Sequence, residues 1–326
     1  MLPLHIVSTG TALPALQVSA ADIDAMHAFT PGYALKKGGV RQRRFATNTD
    51  SQSALAAEAV HNALKRAQLP ASGLDLIISA CAIQEQALPA TACAIAARLD
   101  LAPGTPAFDV NASCLGFLAA LRVAAGLLNT GGFRRIAVVA ADLASRGLNW
   151  SDPESSVIFG DGAAAAIVER GDGSAGIESF KMATYPEGRH FCEVRAGGTR
   201  RNPCVGVDAT DHLFRMDGKA VFKLAARVVP DFVSELMAES GHTLDSMDAV
   251  VPHQASHLAM SHIMKLLKLP PERLVNIYEN NGNQVSASIP CALHAAYGSG
   301  QAAPGKRILI LGTAGGLTVG GMVIRL

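Results

Sequence analysis

Amphipathic stretches with helical spacing alternate along this chain with short, unbroken apolar runs, a pattern that predicts helices packed on buried strands. The helical stretch AAEAVHNALKRAQL (56–69) leads into the apolar run SGLDLIISA (72–80). In the second half VVPDFVSELMAES (228–240) leads into DSMDAVVPH (245–253), with the same Leu/Met-Asp step before the run. Each half then has a second buried-strand run, RRIAVVAAD (134–142) and KRILILGTA (306–314). Each closes on a glycine-rich turn and another apolar strand, FGDGAAAAIVER (159–170) and TAGGLTVGGMVIRL (313–326). The Asp75-to-Arg135 and Asp248-to-Arg307 intervals differ by a single residue, which favours an internal duplication over two unrelated α/β units. We expect two related halves, residues 1–172 and 173–326, joined at the turn-forming GDGSAG of 171–176.

One segment departs from the amphipathic pattern. In LGFLAALRVAAGLLNTGG (115–132) apolar residues occupy nearly every face and Arg122 is the only charge, so the helix is predicted to be buried. Asn129-Thr-Gly-Gly supplies its stop, because glycine readily takes the left-handed conformation that ends helices. PAFDVNASC (106–114), just before it, reads as an extended segment, so that Cys114 falls at a strand-turn-helix corner.

Composition narrows the class. Of 326 residues, 49% are apolar and 17% charged, as suits a well-buried globular enzyme. The formal net charge of +1 gives no reason to expect a nucleic-acid or membrane partner. The six cysteines form no C-x-x-C pair and no disulfide framework, and MLPLHIVSTGTALP reads as a first strand and turn, not a signal peptide. We expect a protein of the reducing cytoplasm.

A cysteine at the first turn of a helix meets unpaired backbone N–H groups, which favour the thiolate and can hold an oxyanion. A small buried core cysteine fits the local context equally well. His253 ends the strand-like DAVVP and would emerge into a crevice, although most histidines in such places are structural. Asn280, Asn281 and Asn283 surround Gly282 in YENNGNQVSASIP, where turn and capping duty is the ordinary role. Gly315 and Gly316 in LGTAGGLTVGG match neither phosphate-binding glycine motif and are better suited to letting backbone approach a substrate. No residue cluster has metal-ligand spacing.

Taken in order, DVNASCLGFLAAL, IFGDGAAAAIV, MDGKAVFK, VPHQAS, GNQVSASIPCAL and GTAGGLTVGG resemble the ketoacyl-(acyl-carrier-protein) synthase III enzymes of the thiolase superfamily, over essentially the whole chain. The resemblance implies an α/β thiolase-like fold, two duplicated halves in five αβαβα layers, assembled as a homodimer. It implies a catalytic Cys114, His253 and Asn283, with the N–H groups of Cys114 and Gly315 as oxyanion hole. Cys114 would take an acyl group from acyl-CoA or a similar thioester. A malonyl thioester, on carrier protein or CoA, would then lose carbon dioxide and attack it, with no metal or redox cofactor. Phe159, Gly218, Leu88 and Tyr33 fall where the family contacts substrate, and Lys223 and Lys265 where it greets the carrier protein. The chain departs from the pattern at several of these places. Tyr33 replaces the tryptophan that stacks on adenine, and the arginine that completes that clamp has no counterpart in SDPESSVIFG, where Pro153 sits nearest. Leu258 replaces an arginine of the basic patch, and Leu88 replaces an aromatic that closes the acyl pocket. An acyltransferase that passes its acyl group to an oxygen or nitrogen nucleophile is the second reading of this scaffold.

Overall fold

A computed structural model describes all residues from Met1 to Leu326. The apolar runs form two five-stranded mixed sheets with matching strand order. In the first, His5–Ala12, Gly162–Glu169, Arg135–Asp142, Leu76–Ser79 and Ala107–Asp109 lie side by side. In the second the order is Leu2–Pro3, Gly176–Thr184, Thr318–Arg325, Arg307–Ala314 and Ala249–Pro252. The strand senses also correspond: Arg135–Asp142 runs parallel to Leu76–Ser79 and antiparallel to Gly162–Glu169, as Arg307–Ala314 does to Ala249–Pro252 and Thr318–Arg325. Where the first sheet adds Ala107–Asp109, the second has only an isolated parallel bridge, Val250 to Leu274.

The matched Asp-to-Arg intervals have a structural cause. Asp75 accepts hydrogen bonds from the N–H groups of Arg134 and Arg135 at 2.8 and 2.9 Å, and Asp248 accepts from Arg307 N–H at 2.8 Å. The same carboxylate clamp thus sets the register of the two central parallel strands in each half.

Strand side chains alternate between two apolar layers, and both are buried. Ile136, Val138 and Ala140 face the middle of the molecule, whereas Ala137, Val139 and Ala141 face outward onto another core. Ile308 and Ile310 likewise face the middle, with Leu309 and Leu311 outward. The middle layer is made of the helices Gly116–Asn129 and Ser288–Gly298, whose Leu118, Leu121, Ala292 and Leu293 are fully buried between the sheets. Gln52–Arg66 and Thr91–Arg98 cover the outer face of the first sheet, and Gly218–Ser240 and His257–Leu266 flank the second. The result is five αβαβα layers. The Gly116–Asn129 helix is buried on most of its surface, but Arg122 and Val123 reach solvent, so one edge of the central layer is open.

Candidate active site

Three corners of this architecture converge. The first is the turn after strand Ala107–Asp109. Asn111 Oδ1 accepts Ser113 N–H at 2.8 Å, and Ser113 takes the left-handed conformation at φ 50°. The chain doubles back, Gly116 N–H bonding to Ser113 O at 2.9 Å. Gly116 allows the close fit, because a Cβ there would lie 2.4 Å from Ala80 O. Helix Gly116–Asn129 takes Leu115 as its N-cap, so Cys114 stands one residue ahead of the cap.

The second corner is the end of strand Ala249–Pro252, where His253 N–H bonds to Leu311 O at 2.8 Å. The neighbouring strand comes so close that a Cβ on Gly312 would lie 2.7 Å from His253 Cβ. The third is the Gly282–Gln284 turn. Asn283 N–H donates to Ile158 O at 2.8 Å and Asn283 O accepts from Gly160 N–H at 3.1 Å. Main-chain bonds thus fasten this piece of the second half to the first. The side-chain amide is oriented as well: Oδ1 accepts Val285 N–H at 2.9 Å, and Nδ2 gives one hydrogen to Ala255 O at 3.2 Å. A second amide hydrogen remains to be donated.

Cys114, His253, Asn283, Gly315, Phe159 and Gly218 all line one cavity of about 1250 Å³. Phe159 meets Phe214 edge to face in its wall, with ring centres 5.1 Å apart. The other expected contact residues are elsewhere. Tyr33 does not line the cavity. Its ring tilts against Phe29 at 5.0 Å, within a run of rings that continues through His27 to Trp150, stacked at 3.7 Å. Leu88 is 85% exposed and does not line the cavity, although residues 82–85 of the same loop do. Lys223 and Lys265 lie exposed on the outer helices; nearer the opening, Leu258 and Phe222 line the wall and Lys37 pairs with Glu154 at 2.8 Å.

The electrostatics revise one expectation. The position of Cys114 beside a helix start predicts an ionised sulfur, yet burial, then Asp142, then Cys192 push its thiol up to about 12. The N–H groups of Gly315 and Cys114 itself act in the opposite direction and are outweighed. Cys114 is only half-buried by surface area, yet a thiolate next to a buried carboxylate is the less stable form, and the shift is toward the protonated sulfur. Burial lowers His253 to about 4, so its imidazole is neutral near pH 7, and its Nδ1 has no hydrogen-bond partner. Asp142 and Cys192 are wall residues that the motifs did not single out. The only trace of Asp142 in the sequence is a carboxylate that ends an otherwise apolar strand.

Comparison with known proteins gives a consistent result. The family model for 3-oxoacyl-(acyl-carrier-protein) synthase III matches residues 108–186, and the model for its C-terminal part matches 237–326. The beta-ketoacyl-(acyl-carrier-protein) synthase III of Bordetella petrii is 35% identical over 326 residues, covering 98% of this chain and 97% of its own. Among solved structures, the 3-oxoacyl-(acyl-carrier-protein) synthase III of Aquifex aeolicus VF5 has a TM-score of 0.89 at 29% identity, over 99% of this chain and 100% of that one. The priming beta-ketosynthase of the R1128 polyketide pathway also has a TM-score of 0.89, at 27% identity over 99% and 96% of the two chains.

Proposed function

The chain belongs to the 3-oxoacyl-(acyl-carrier-protein) synthase III family, enzymes that condense an acyl group with a malonyl thioester, and we propose that Cys114, His253 and Asn283 carry the reaction here. The observation that carries this reading is their convergence, from separate corners of two halves, on one cavity that Gly315 also lines.

In the first half-reaction Cys114 sulfur attacks the carbonyl of an acyl thioester. Because the thiol rests protonated, its proton departs as the carbon–sulfur bond forms and ends on the released thiol. The N–H groups of Gly315 and Cys114, which favour negative charge at the sulfur, are assigned to hold the oxygen of the tetrahedral intermediate. The product is an acyl-Cys114 thioester, the intermediate of a ping-pong scheme.

In the second half-reaction a malonyl thioester loses carbon dioxide, and the electrons of the broken bond pass into an enolate. A neutral His253 and the spare amide hydrogen of Asn283 donate to the enolate oxygen. His253 needs no proton for this role, so its lowered pKa suits it. The carbanion then attacks the acyl-Cys114 carbonyl, the sulfur is expelled and takes a proton from solvent, and a 3-oxoacyl thioester leaves.

We read acyl-CoA as one donor of the acyl group and carrier protein or CoA as the carrier of malonate. Exposed Lys223 and Lys265, beside apolar Phe222 and Leu258, form the face for an anionic carrier. Leu88 and Ile83, 85% and 56% exposed near the sheet-edge strand Ala107–Asp109, mark the face that a second copy covers in a homodimer. No helix is long and apolar enough to cross a membrane.

Intact-protein mass spectrometry after exposure to a panel of acyl-CoAs tests the reading. An acyl adduct absent from Cys114→Ala is expected. Added malonyl thioester should then release carbon dioxide with a 3-oxo product. Acyl transfer to an oxygen or nitrogen nucleophile without decarboxylation would refute the condensation.

A further inference from the structure

Asp142 is a buried carboxylate, 3% exposed, to which neither half-reaction assigns a role. It ends the central strand Arg135–Asp142 and lines the same cavity as Cys114. Its oxygens collect donors from both halves of the fold. On one side Ala82 and Ile83 N–H groups approach at 3.3 and 3.2 Å. On the other, Ser286 donates its N–H at 3.0 Å and also its hydroxyl. Ser286 belongs to the tight turn that follows Asn283, where Val285 is held in the left-handed conformation at φ 53°.

We infer that Asp142 is a positioning residue, which fastens the Asn283 turn of the second half to the first half beside Cys114. No cation pairs with this carboxylate; backbone and hydroxyl donors hold it. The arrangement is therefore sensitive to loss of any acceptor position. An enolate donor works only if it is placed before decarboxylation begins. Main-chain bonds to Ile158 and Gly160 hold Asn283 from one side, and the Ser286 clamp holds its turn from the other. The charge has a second effect, since a carboxylate this close disfavours negative charge on the Cys114 sulfur. Asp142 thus supports the second half-reaction while restraining the sulfur.

These effects have opposite signs, and a merely structural residue would not show that signature. The inference rests on the condensing function proposed above, so the test includes one readout that needs no substrate. In Asp142→Asn the charge disappears and one oxygen becomes an N–H donor that faces other donors. Alkylation of Cys114 by iodoacetamide at pH 7 is expected to rise roughly threefold or more. Malonyl-thioester decarboxylation is expected to fall about 10²-fold, the scale on which a misplaced donor lowers rates. Ser286→Ala removes one donor; because that hydroxyl helps to hold Asp142 at about 6, its alkylation is compared with wild type at about pH 8.5, where the carboxylate keeps its charge. It should lower decarboxylation several-fold and leave alkylation unchanged, which preserves the test if the asparagine variant fails to fold. Parallel loss of both readouts in Asp142→Asn, or wild-type behaviour of Ser286→Ala in both, would overturn the inference. If wild-type enzyme is acylated by no thioester, the condensing function falls and the decarboxylation role with it. The alkylation comparison still reports the charge of Asp142.

Discussion

Replacing Asn283 by aspartate keeps the shape of the side chain and removes its hydrogens. The acceptor for Val285 N–H at 2.9 Å survives, as does the oxygen 3.4 Å from the Ser288 hydroxyl. The donor to Ala255 O is lost, and with it the hydrogen assigned to the enolate. Removing one such preorganised donor lowers kcat by about 10²–10³, or roughly 2.7–4 kcal/mol of transition-state stabilisation. The added negative charge works in the same direction, because it opposes the enolate. Acyl loading should fall by only a few-fold, the effect of a new charge in the cavity, since Asn283 makes no contact with the sulfur in this scheme and its donor interaction belongs to one transition state alone. Single-turnover mass spectrometry of the acyl adduct and carbon dioxide release from a malonyl thioester measure the two steps separately. A variant that loads slowly and decarboxylates at the wild-type rate would refute the assignment.

His253 stays neutral down to about pH 4, so decarboxylation measured across pH should show no acid limb from imidazole protonation near pH 6.5. The same shift links to stability. Between about 4 and 6.5 the unfolded chain binds a proton that folded His253 refuses, so the His253 contribution to stability falls as pH drops through that window, while Asp142, raised to about 6 by burial, contributes in the opposite sense; His253→Asn should remove the first contribution in chemical denaturation. Gly312→Ala places a methyl group where 2.7 Å separates it from His253 Cβ, and displacement of the imidazole should lower decarboxylation about 10²-fold with the fold retained by circular dichroism. Tyr33→Ala should leave KM for acyl-CoA within about twofold, and its main effect should be a loss of about 0.5–1.5 kcal/mol of stability from the ring contact with Phe29. A large rise in KM would show that the tyrosine does meet the nucleotide.

The architecture was legible because local chemistry repeats. Asp75 and Asp248 announce the same strand register, and alternating apolar residues in 135–142 and 307–314 announce sheets buried on both faces. Cys114, His253 and Asn283 were found through short motifs whose backbone demands are local, such as the glycine before the asparagine and the turn before the cysteine. What the sequence did not reveal depends on distant neighbours. The sulfur is protonated because Asp142 and the burial around it come from packing of separate strands, while helix position alone argued for ionisation. Tyr33 does not line the cavity, and its ring joins rings as remote in sequence as Trp150. Leu88 projects outward from a loop whose course no periodicity specifies.

The strand-like bonds between Asn283 and residues 158–160 have a consequence for how this enzyme fails. Sulfur sits on one side of a seam, imidazole and amide on the other, and the stitching that aligns them is a handful of peptide bonds and one carboxylate. The sheets of both halves share one apolar core, so the seam as a whole stays closed for as long as that core does, and only the turn at its rim can shift by itself. A displacement of about an ångström in that turn is enough to cost catalysis while helices and sheets persist.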